Sequence, residues 1–412
     1  MSGASRVAGA LQVDGASLEE MAAQFGTPLY VYSRAAIVEA VSAYRQAFAA
    51  VTHRLCYAVK ANGNGAILRL LASQGTGADI VSGGELLAAL RAGFPPERIV
   101  FAGVGKSDAE IALGLEHGIG EINAESEDEI RRIATIAAAS GRLARVSLRV
   151  NPDIDARTHP YISTGLREAK FGVDIALARS ILRRARELPG IEIGGLQCHI
   201  GSQITDLAPL AAAARALAGV SRELLDEGFP LRSIDIGGGL GVSYDGGGAP
   251  DPSGLARAVV PAVEHLPLTL VLEPGRSLVA HAGVLLTRVL YVKDGVARRF
   301  VVVDAGMNDL LRPALYDAYH RVEPVVERGR RRELVDVVGP VCETSDFLAR
   351  RRELERVEPG ELLAVREAGA YGFAMASNYN MRPRAAEVMV EDGRVRLVRR
   401  RETFFDLVRT EV

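Results

Sequence analysis

The chain has 412 residues, of which 48% are hydrophobic and 24% are charged, a composition typical of a globular protein too long for one ordinary core. Its 49 basic and 51 acidic residues give a formal net charge of −2, which argues against nucleic acid as a partner. Three cysteines, Cys56, Cys198 and Cys342, are too few for a disulfide framework and too widely spaced for a metal knuckle, so we expect reduced thiols and no metal site.

The first fifteen residues, MSGASRVAGALQVDG, lack the continuous apolar core of a signal peptide. No later stretch of the sequence is long and apolar enough to cross a bilayer. We therefore expect a cytoplasmic protein with no membrane partner.

Short β-type runs alternate with helical patterns from about residue 54 onward. The helical patterns often begin with Ser or Asp and end on Gly, as capped helices do. Eight successive β/α units predict a closed (β/α)8 barrel of the TIM type, with an open Rossmann-like sheet as the alternative. The predicted strands span residues 54–62, 78–82, 98–103, 121–125, 145–151, 192–200, 233–238 and 268–273.

After about residue 282 the pattern changes to strand-like runs separated by turn dipeptides such as DG and PG, which predicts a mostly β C-terminal domain. The expected division is an N-terminal segment over 1–33, a barrel over 34–281 and the β domain over 282–412. The segment GTPLYVYS, just before the barrel, could add a strand to the β domain.

Polar residues at the predicted strand ends are the candidates for chemistry, because the C-terminal strand ends and the following loops of such a barrel build the active site. Lys60 ends the first strand among apolar and small residues, where desolvation favours a neutral amine nucleophile. The alternative is a lysine that only extends to solvent at a strand end.

The later strand ends add three further groups. His199 and Ser202 lie at the end of strand six, although a lone histidine is often a satisfied core residue. Gly237, Gly238 and Gly239 lie at the end of strand seven, where glycine lets backbone N–H groups approach a phosphate; such turns are also common without any ligand. Strand eight ends at Glu273, and Arg276 follows, either as part of a site or as a surface ion pair. A cofactor with an aldehyde, a phosphate and a basic ring nitrogen accounts for all of these groups.

Seven segments of the chain, in this order, resemble the diaminopimelate decarboxylases, which belong to the alanine-racemase-like pyridoxal-phosphate enzymes. The segments are YAVKAN, HIGSQ, GGGLG, EPGR, MNDLLRPALYDAYH, GPVCETSDFLA and GAYGFAMASNYNMRPR. The resemblance implies pyridoxal 5'-phosphate as the cofactor. It also implies decarboxylation of meso-2,6-diaminopimelate to L-lysine and carbon dioxide, the last step of lysine biosynthesis.

The resemblance also implies roles for individual residues in the barrel. Lys60 forms a Schiff base with the cofactor, and His199 packs against the cofactor ring. Glu273 faces the ring nitrogen and keeps it protonated, so that the ring accepts electrons. The phosphate is then held by Ser202, Gly237, Gly238, Gly239, Gly275 and Arg276.

Further implied residues concern the substrate and the partner subunit. Arg276, Arg312 and Tyr316 bind the distal carboxylate, Glu343 meets the distal ammonium, and Tyr371 contacts cofactor and substrate. Cys342 donates a proton after carbon dioxide leaves, and it acts with Glu343 across a homodimer interface. Without the resemblance, the sequence favours a small buried hydrophobe at Cys342, and Tyr371 could be a core aromatic beside a tight turn.

Two alternatives remain open from the sequence. Lys170 lies in HPYISTGLREAKFG, a segment whose length suggests a mobile flap, and is a rival for the Schiff base, although a loop lysine is better solvated than Lys60. The reaction could instead be that of an ornithine, arginine or D-lysine decarboxylase, and a racemase fits less well. A member of a different class is a catalytically inactive regulatory homologue, which could lose Lys60, Glu273 or Cys342 freely.

Overall fold

The computed structural model describes residues 3–156, 164–165, 170–296 and 298–412. The chain divides into two compact units. One unit comprises residues 41–242 and 249–277, and the other comprises residues 1–40, 243–248 and 278–412. Within the described ranges, no helix combines the length and the apolar character that a membrane crossing requires.

The described residues form the following strands and helices. The strands are β1 Ala4–Val7, β2 Ala10–Val13, β3 Ala16–Ser17, β4 Leu29–Ser33, β5 His53–Ala58, β6 Gly77–Ile80, β7 Ile99–Phe101, β8 Glu121–Ala124, β9 Ala144–Asn151, β10 Val173–Asp174, β11 Ile191–Gln197, β12 Ser233–Asp235, β13 Thr269–Leu272, β14 Gly283–Asp294, β15 Arg299–Val303, β16 Val322–Pro324, β17 Arg332–Val338, β18 Phe347–Glu355, β19 Leu362–Val365, β20 Ala386–Glu391 and β21 Arg394–Arg399. The helices are α1 Leu18–Phe25, α2 Arg34–Ala47, α3 Gly65–Ser73, α4 Gly83–Ala92, α5 Asp108–His117, α6 Glu127–Ala139, α7 Ile175–Ala185, α8 Ala208–Asp226, α9 Pro252–Val263, α10 Arg276–Val279, α11 Arg312–Tyr316 and α12 Phe404–Val408.

The first unit is a closed barrel of eight parallel strands. Its strands follow the order β5, β6, β7, β8, β9, β11, β12 and β13, and β13 pairs with β5 to close the ring. The predicted (β/α)8 barrel with a second, mostly β domain is therefore confirmed, and the Rossmann-like alternative is wrong. Because all eight strands are parallel, their C-terminal ends lie at the same mouth of the barrel.

The helices between these strands begin and end where local capping chemistry predicts. The side chains of Ser82, Ser107 and Ser126 accept backbone N–H groups in the first turns of α4, α5 and α6. Helices α4 and α5 end at Gly93 and Gly118, both in the left-handed conformation that glycine adopts without strain.

The second unit is built around a mixed sheet ordered β18-β17-β15-β14-β4-β20-β21, with β19 also paired to β14 and β16 paired to β19. Strand β4, from the N-terminal segment, is antiparallel to β14 and parallel to β20. Apolar side chains of these strands pack with Leu18 and Met21 of α1 in one buried cluster. A separate three-stranded sheet consists of β1, β2 and β3.

Several barrel strands end earlier than the sequence predicted. Strand β5 stops at Ala58 and Lys60 lies in a one-turn 3₁₀ helix, Val59–Ala61; β11 stops at Gln197 and β12 at Asp235. The residues beyond these points leave the ladder because their backbone groups bond to neighbouring loops, as Gly237 does with Glu273. The candidate residues are therefore loop residues at the barrel mouth.

Candidate active site

Lys60 lies at the mouth of the barrel beside a buried carboxylate. Its Nζ atom is 2.9 Å from Oδ2 of Asp79, the third residue of β6. The side chain of Lys60 is 37% exposed, whereas that of Asp79 is fully buried. The prediction of apolar surroundings for Lys60 is therefore wrong on one side of the side chain, where the carboxylate of Asp79 from the next strand forms an ion pair with it.

Glu273 follows β13 and is buried, with 5% of its surface exposed. Its carboxylate accepts hydrogen bonds from two neutral amides, Asn123 Nδ2 at 3.4 Å and Gln197 Nε2 at 3.1 Å. Burial, followed by the charge of Asp79, raises the pKa of Glu273 to about 7, and the charge of Lys60 opposes this rise. Glu273 is thus a buried acid without a directly bonded cation among these contacts.

Asp235, the last residue of β12, lies beside Glu273 and shares a side-chain hydrogen bond with it. Burial and the negative charge of Glu273 raise the pKa of Asp235 well above its usual range. The same carboxyl accepts the N–H of Gly237 at 2.7 Å. Asp235 therefore holds the proton of the pair, and negative charge is concentrated on Glu273.

His199 presents a neutral imidazole ring at the mouth. Burial, followed by the charges of Lys60 and Arg149, lowers the pKa of His199 well below 6.5. Its Nδ1 atom accepts the backbone N–H of Gly238 at 3.2 Å, which places the remaining ring proton on Nε2. Lys60 acts electrostatically on both His199 and Glu273, so the structure brings these three predicted residues together.

The glycines after β12 are required by close backbone approach. A Cβ atom at Gly237, Gly238 or Gly239 would lie 2.5, 2.2 or 2.4 Å from the carbonyl oxygens of Cys198, Glu273 and Gly201 respectively. Gly237 and Gly239 also have positive φ angles of 69° and 102°. The loops after β11, β12 and β13 therefore pack as one layer of backbone.

Ser202 and Arg276 meet at the edge of this layer. Nη2 of Arg276 donates to Oγ of Ser202 at 2.9 Å, and the arginine side chain is buried. Gly275 packs tightly on the end of the first barrel strand, since a Cβ there would lie 3.0 Å from Cβ of Ala58. A hydroxyl, a guanidinium and several loop amides are thus gathered at one place, a set of donors that suits an anion.

A second ion pair braces the same mouth. Nη1 of Arg149, on β9, lies 2.8 Å from Oε1 of Glu125, and both side chains are buried. Nη2 of Arg149 and Oγ1 of Thr164 donate to the carbonyl oxygen of His199 at 3.4 and 2.6 Å. The ion pair thereby fixes the backbone that carries the imidazole.

The remaining candidates belong to the other unit. Arg312, the first residue of α11, is 5% exposed, and its Nη1 lies 2.7 Å from Nε2 of His320. Tyr316 ends the same helix and is partly buried. Tyr371 is partly buried and has a positive φ of 55°, a conformation that is uncommon for a bulky residue.

Cys342 and Glu343 form an exposed cluster with the segment that contains Tyr379. The N–H of Cys342 donates to Oδ1 of Asn380 at 2.9 Å, and the Glu343 carboxylate accepts from Tyr379 at 2.6 Å and Ser345 at 2.7 Å. These two hydroxyl donors lower the pKa of Glu343. The thiol of Cys342 is exposed and unbonded to another cysteine, so the buried-hydrophobe interpretation is wrong.

The similarity of this chain to known proteins identifies its family. The profile of the pyridoxal-dependent decarboxylases, pyridoxal binding domain, matches residues 34–280. The diaminopimelate decarboxylase of Aquifex aeolicus is 50% identical over 397 residues, which cover 96% of this chain and 94% of the relative. The chain belongs to the diaminopimelate decarboxylase family of pyridoxal-dependent decarboxylases. The predicted family is confirmed.

Other members of the diaminopimelate decarboxylase family match almost as completely. The enzyme of Neisseria meningitidis serogroup A is 52% identical over 383 residues, covering 93% of this chain and 94% of the relative. The crystal structure of the Helicobacter pylori diaminopimelate decarboxylase, complexed with L-lysine, superimposes with a TM-score of 0.93 at 45% identity. That likeness covers 95% of this chain and 98% of the solved one.

The barrel mouth of this decarboxylase fits pyridoxal phosphate. Glu273 is a buried carboxylate that a protonated ring nitrogen would complement, and the Ser202–Arg276 corner supplies donors for a phosphate. Oδ1 of Asp79, beside Lys60, is buried and accepts no hydrogen bond from the described residues. An amine, a neutral ring, a carboxylate and an anion-binding corner thus match the aldehyde, ring, nitrogen and phosphate of the cofactor.

Several residues at the barrel mouth of this decarboxylase were not predicted from the sequence. Asp79, Asn123, Arg149, Gln197 and Asp235 all lie within barrel strands. Their signal is a polar side chain inside an otherwise apolar run, because a parallel strand of a barrel is buried on both faces.

The rival Lys170 is exposed, with Nζ 5.3 Å from the centroid of the Phe171 ring. The predicted flap lies mostly outside the described residues, which omit 157–163 and 166–169.

Proposed function

We propose that this decarboxylase removes carbon dioxide from meso-2,6-diaminopimelate to form L-lysine, the last step of lysine biosynthesis. The observation that carries the proposal is the buried Glu273 carboxylate within electrostatic reach of Lys60 at the barrel mouth. The identity of 50% or more to named diaminopimelate decarboxylases supports the choice of substrate.

In this proposal the barrel residues bind and orient the cofactor. Lys60 holds its aldehyde carbon, and the neutral ring of His199 packs against its ring. Ser202, Arg276 and the amides of Gly237, Gly238, Gly239 and Gly275 bind its phosphate. When bound, pyridoxal phosphate supplies an electron-withdrawing ring that takes up the electron pair released as carbon dioxide leaves.

Glu273 keeps a proton on the ring nitrogen through its negative charge. Its two amide donors and the protonated Asp235 hold the carboxylate in place without neutralising it by a cation. A ring nitrogen with its proton at this position is a better electron acceptor than a neutral one, which favours loss of carbon dioxide.

Residues of the second unit, together with Arg276 of the barrel, recognise the substrate and return a proton. Arg276, Arg312 and Tyr316 bind the distal carboxylate, and Glu343 binds the distal ammonium. Cys342 gives a proton to the α-carbon, and Tyr371 contacts cofactor and substrate.

We propose that Cys342 and Glu343 serve the barrel of the partner subunit in a homodimer, with residues 34–281 as the cofactor domain and 282–412 as the domain that completes it.

The proposed setting of this reaction is the cytoplasm, with amino acids as the ligands and neither nucleic acid nor membrane as a partner. The related ornithine, arginine and D-lysine decarboxylases, and an inactive regulatory homologue, are the alternatives that an assay has to separate. All of the groups that catalysis needs are present in this chain, which argues against the inactive homologue.

The decisive experiment incubates the purified protein and pyridoxal phosphate with meso-diaminopimelate and measures carbon dioxide and L-lysine. We expect turnover with meso-diaminopimelate far above that with ornithine, arginine or D-lysine. Faster turnover of one of those three would replace the proposed substrate, and no turnover of any would favour the inactive homologue.

Two lysine variants control the assay. Lys60→Ala should lose the visible absorbance of bound cofactor and all activity, whereas Lys293→Ala, at an exposed position, should retain both. Retained absorbance in Lys60→Ala would move the cofactor to another lysine.

A further inference from the structure

The guanidinium group of Arg312 contacts two aromatic side chains, Tyr244 and His320, that have no role in the proposed function. Its Nη1 atom is 2.7 Å from Nε2 of His320, and its central carbon is 4.5 Å from the centroid of the Tyr244 ring. The rings of Tyr244 and His320 meet edge to face, with centroids 5.0 Å apart and planes inclined by 73°. The three side chains therefore form one packed group, here called the Arg312 clamp.

The hydrogen bonds of His320 fix its tautomer. His320 is fully buried, and its Nδ1 atom lies 2.8 Å from the carbonyl oxygen of Arg366. A carbonyl oxygen only accepts, so Nδ1 carries the hydrogen and Nε2 is left with a lone pair. Nε2 then accepts an N–H of Arg312. The ring is neutral, because a proton on Nε2 would face the N–H of Arg312 across only 2.7 Å.

These contacts limit how the guanidinium can rotate. The bond to His320 fixes one edge of the planar group, and the face of Tyr244 attracts the cation over its ring. An arginine has a long side chain whose ordering costs free energy when a ligand binds. A guanidinium that is ordered before the ligand arrives binds a carboxylate without that cost. It also binds the carboxylate only where its planar set of N–H donors points.

We propose that His320 and Tyr244 are positioning residues that give this decarboxylase its selectivity for substrates with a distal carboxylate. They act through Arg312, and neither is a catalytic residue. The inference rests on the proposed function, in which Arg312 binds that carboxylate. Loss of the clamp should weaken carboxylate-bearing ligands and leave the chemical step nearly unchanged.

Two substitutions of His320 separate its two hydrogen bonds. His320→Asn retains an amide N–H near the position of Nδ1, for the Arg366 carbonyl, but is too short to reach Arg312. His320→Gln extends as far as Nε2 and offers an acceptor to Arg312. Tyr244→Leu removes the aromatic face, and Tyr244→Phe retains it. Each pair thus contains a disruptive variant and a conservative control.

The experiment compares two competitive inhibitors on the cofactor-loaded enzyme. L-Lysine retains the distal carboxylate, and pentane-1,5-diamine has the same two amines without it. In His320→Asn and Tyr244→Leu we expect the KM for meso-diaminopimelate and the Ki of L-lysine to rise about tenfold. The Ki of the diamine and kcat should stay within about threefold, and His320→Gln and Tyr244→Phe should resemble the unmodified enzyme.

Arg312→Ala distinguishes failure of this inference from failure of the proposed role of Arg312. If Arg312→Ala raises the Ki of L-lysine and neither disruptive variant does, the clamp is overturned and the role of Arg312 stands. If Arg312→Ala leaves the ratio of the two Ki values unchanged, both are overturned. Adding His320→Asn to Arg312→Ala should change that ratio no further, because the clamp acts only through the arginine.

Cofactor absorbance and circular dichroism show whether each variant is folded. If the His320→Asn protein fails to fold, Tyr244→Leu, which changes a different contact of the guanidinium, decides the question by the same inhibitor ratio. Equal weakening of L-lysine and the diamine in the folded variants would overturn the proposal, since it would mean a general loss of structure at the site.

Discussion

Lys60, in the 3₁₀ turn after β5, forms an ion pair with Asp79 of the adjacent strand β6, with Nζ and Oδ2 2.9 Å apart. A neighbouring carboxylate stabilises an ammonium, whereas attachment of an aldehyde requires the neutral amine. The ion pair therefore holds the amine of Lys60 in place before the cofactor attaches. Asp79 thus positions Lys60, and removal of its charge should change the pH at which the cofactor attaches.

We predict that Asp79→Asn lowers the pH required for cofactor attachment by about one unit, because the amine no longer has a carboxylate to stabilise its charged form. Apoprotein mixed with pyridoxal phosphate between pH 6 and 9, followed by visible absorbance, gives the midpoint. Asp226→Asn, at the exposed end of α8, makes the same charge change and should leave the midpoint in place. A midpoint that stays or rises in Asp79→Asn would remove this role.

The ion pair also shows what the sequence could not predict. The eight barrel strands were predictable because each is a short apolar run between capped helices, and barrel closure follows from the repetition. The contact of Lys60 with Asp79 depends on which strands become neighbours and on their register, with Tyr57 opposite Ala78 and Ala58 opposite Asp79. Register is a property of the closed sheet, and the spacing along the chain does not contain it.

The ends of the predicted strands were less accurate for a related reason. The apolar Val59 and the small Ala61 on either side of Lys60 would allow a strand to continue. The three residues form a 3₁₀ turn instead, since the N–H of Ala58 bonds to the carbonyl oxygen of Pro274 beyond the adjacent strand. The roles of Cys342 and Glu343 came from family resemblance alone. Nothing in the local pattern marked His320, whose hydrogen-bond partners Arg312 and Arg366 lie 8 and 46 residues away.

Glu273→Gln should retain bound cofactor and lose turnover. Glutamine preserves the shape but keeps only one acceptor oxygen for the amide donors of Asn123 and Gln197, and it has no negative charge to keep the ring nitrogen protonated. We expect kcat to fall on the order of 10²–10³-fold with visible absorbance still present. Stopped assays with meso-diaminopimelate and spectra of the same samples measure both.

A second buried glutamate of the barrel provides the control for that change. Glu121 is the first residue of β8, and it accepts a hydrogen bond from Ser233 at 3.1 Å. It lies at the N-terminal end of its strand, away from the mouth where strands end. Glu121→Gln should therefore alter stability and leave kcat within about threefold. A similar loss of kcat in both variants would show that the effect of Glu273 is structural.

The proposed sharing of the active site predicts complementation between two inactive variants. Lys60→Ala lacks the cofactor lysine and Cys342→Ala lacks the proposed proton donor, so a mixed dimer contains one site with both defects and one intact site. Random mixing of equal amounts should restore about a quarter of the unmodified activity, after correction for the residual rate of Cys342→Ala.

A mixture of Lys60→Ala with the double variant Lys60→Ala/Cys342→Ala has no intact site and should remain inactive. Size-exclusion chromatography with light scattering measures whether dimers form in each mixture. Dimers that exchange subunits but show no recovery would place Cys342 and Lys60 of one site on the same subunit.

Gly238→Ala should disrupt the layer of loops that carries the cofactor site. The added Cβ would lie 2.2 Å from the carbonyl oxygen of Glu273, so backbone has to move. We expect a loss of roughly 1–3 kcal/mol in the free energy of unfolding and weaker cofactor binding. Gly219→Ala, exposed in α8 with nothing within 4 Å of its Cβ, should be stabilising by about 0.5–1 kcal/mol. Equal stability of the two variants would contradict the close approach.

The raised pKa of Asp309 predicts that the stability of the second unit depends on pH. Burial raises the pKa of its carboxyl from 3.8 to about 7, although it accepts the N–H of Gly306 at 3.0 Å. Between pH 4 and 7 the folded state keeps a proton that the unfolded state has released, so the free energy of unfolding falls as pH rises through this window and levels off above it. Ionised Asp309 is therefore a cost that the protein carries at pH 8.

Asp309→Asn removes that cost while preserving the size of the side chain. Relative to the unmodified protein, the variant should gain roughly 2–4 kcal/mol of stability on going from pH 5 to pH 8, because only the carboxyl ionises in between. Thermal unfolding of both proteins at the two pH values measures the difference. Asp245→Asn is the control: its carboxyl is exposed and its pKa is lowered, so it is ionised in both states throughout this range and the difference should be independent of pH. If the stability of Asp309→Asn changes with pH as little as that of Asp245→Asn, then the buried carboxyl of Asp309 is already ionised at pH 5 and the prediction is wrong.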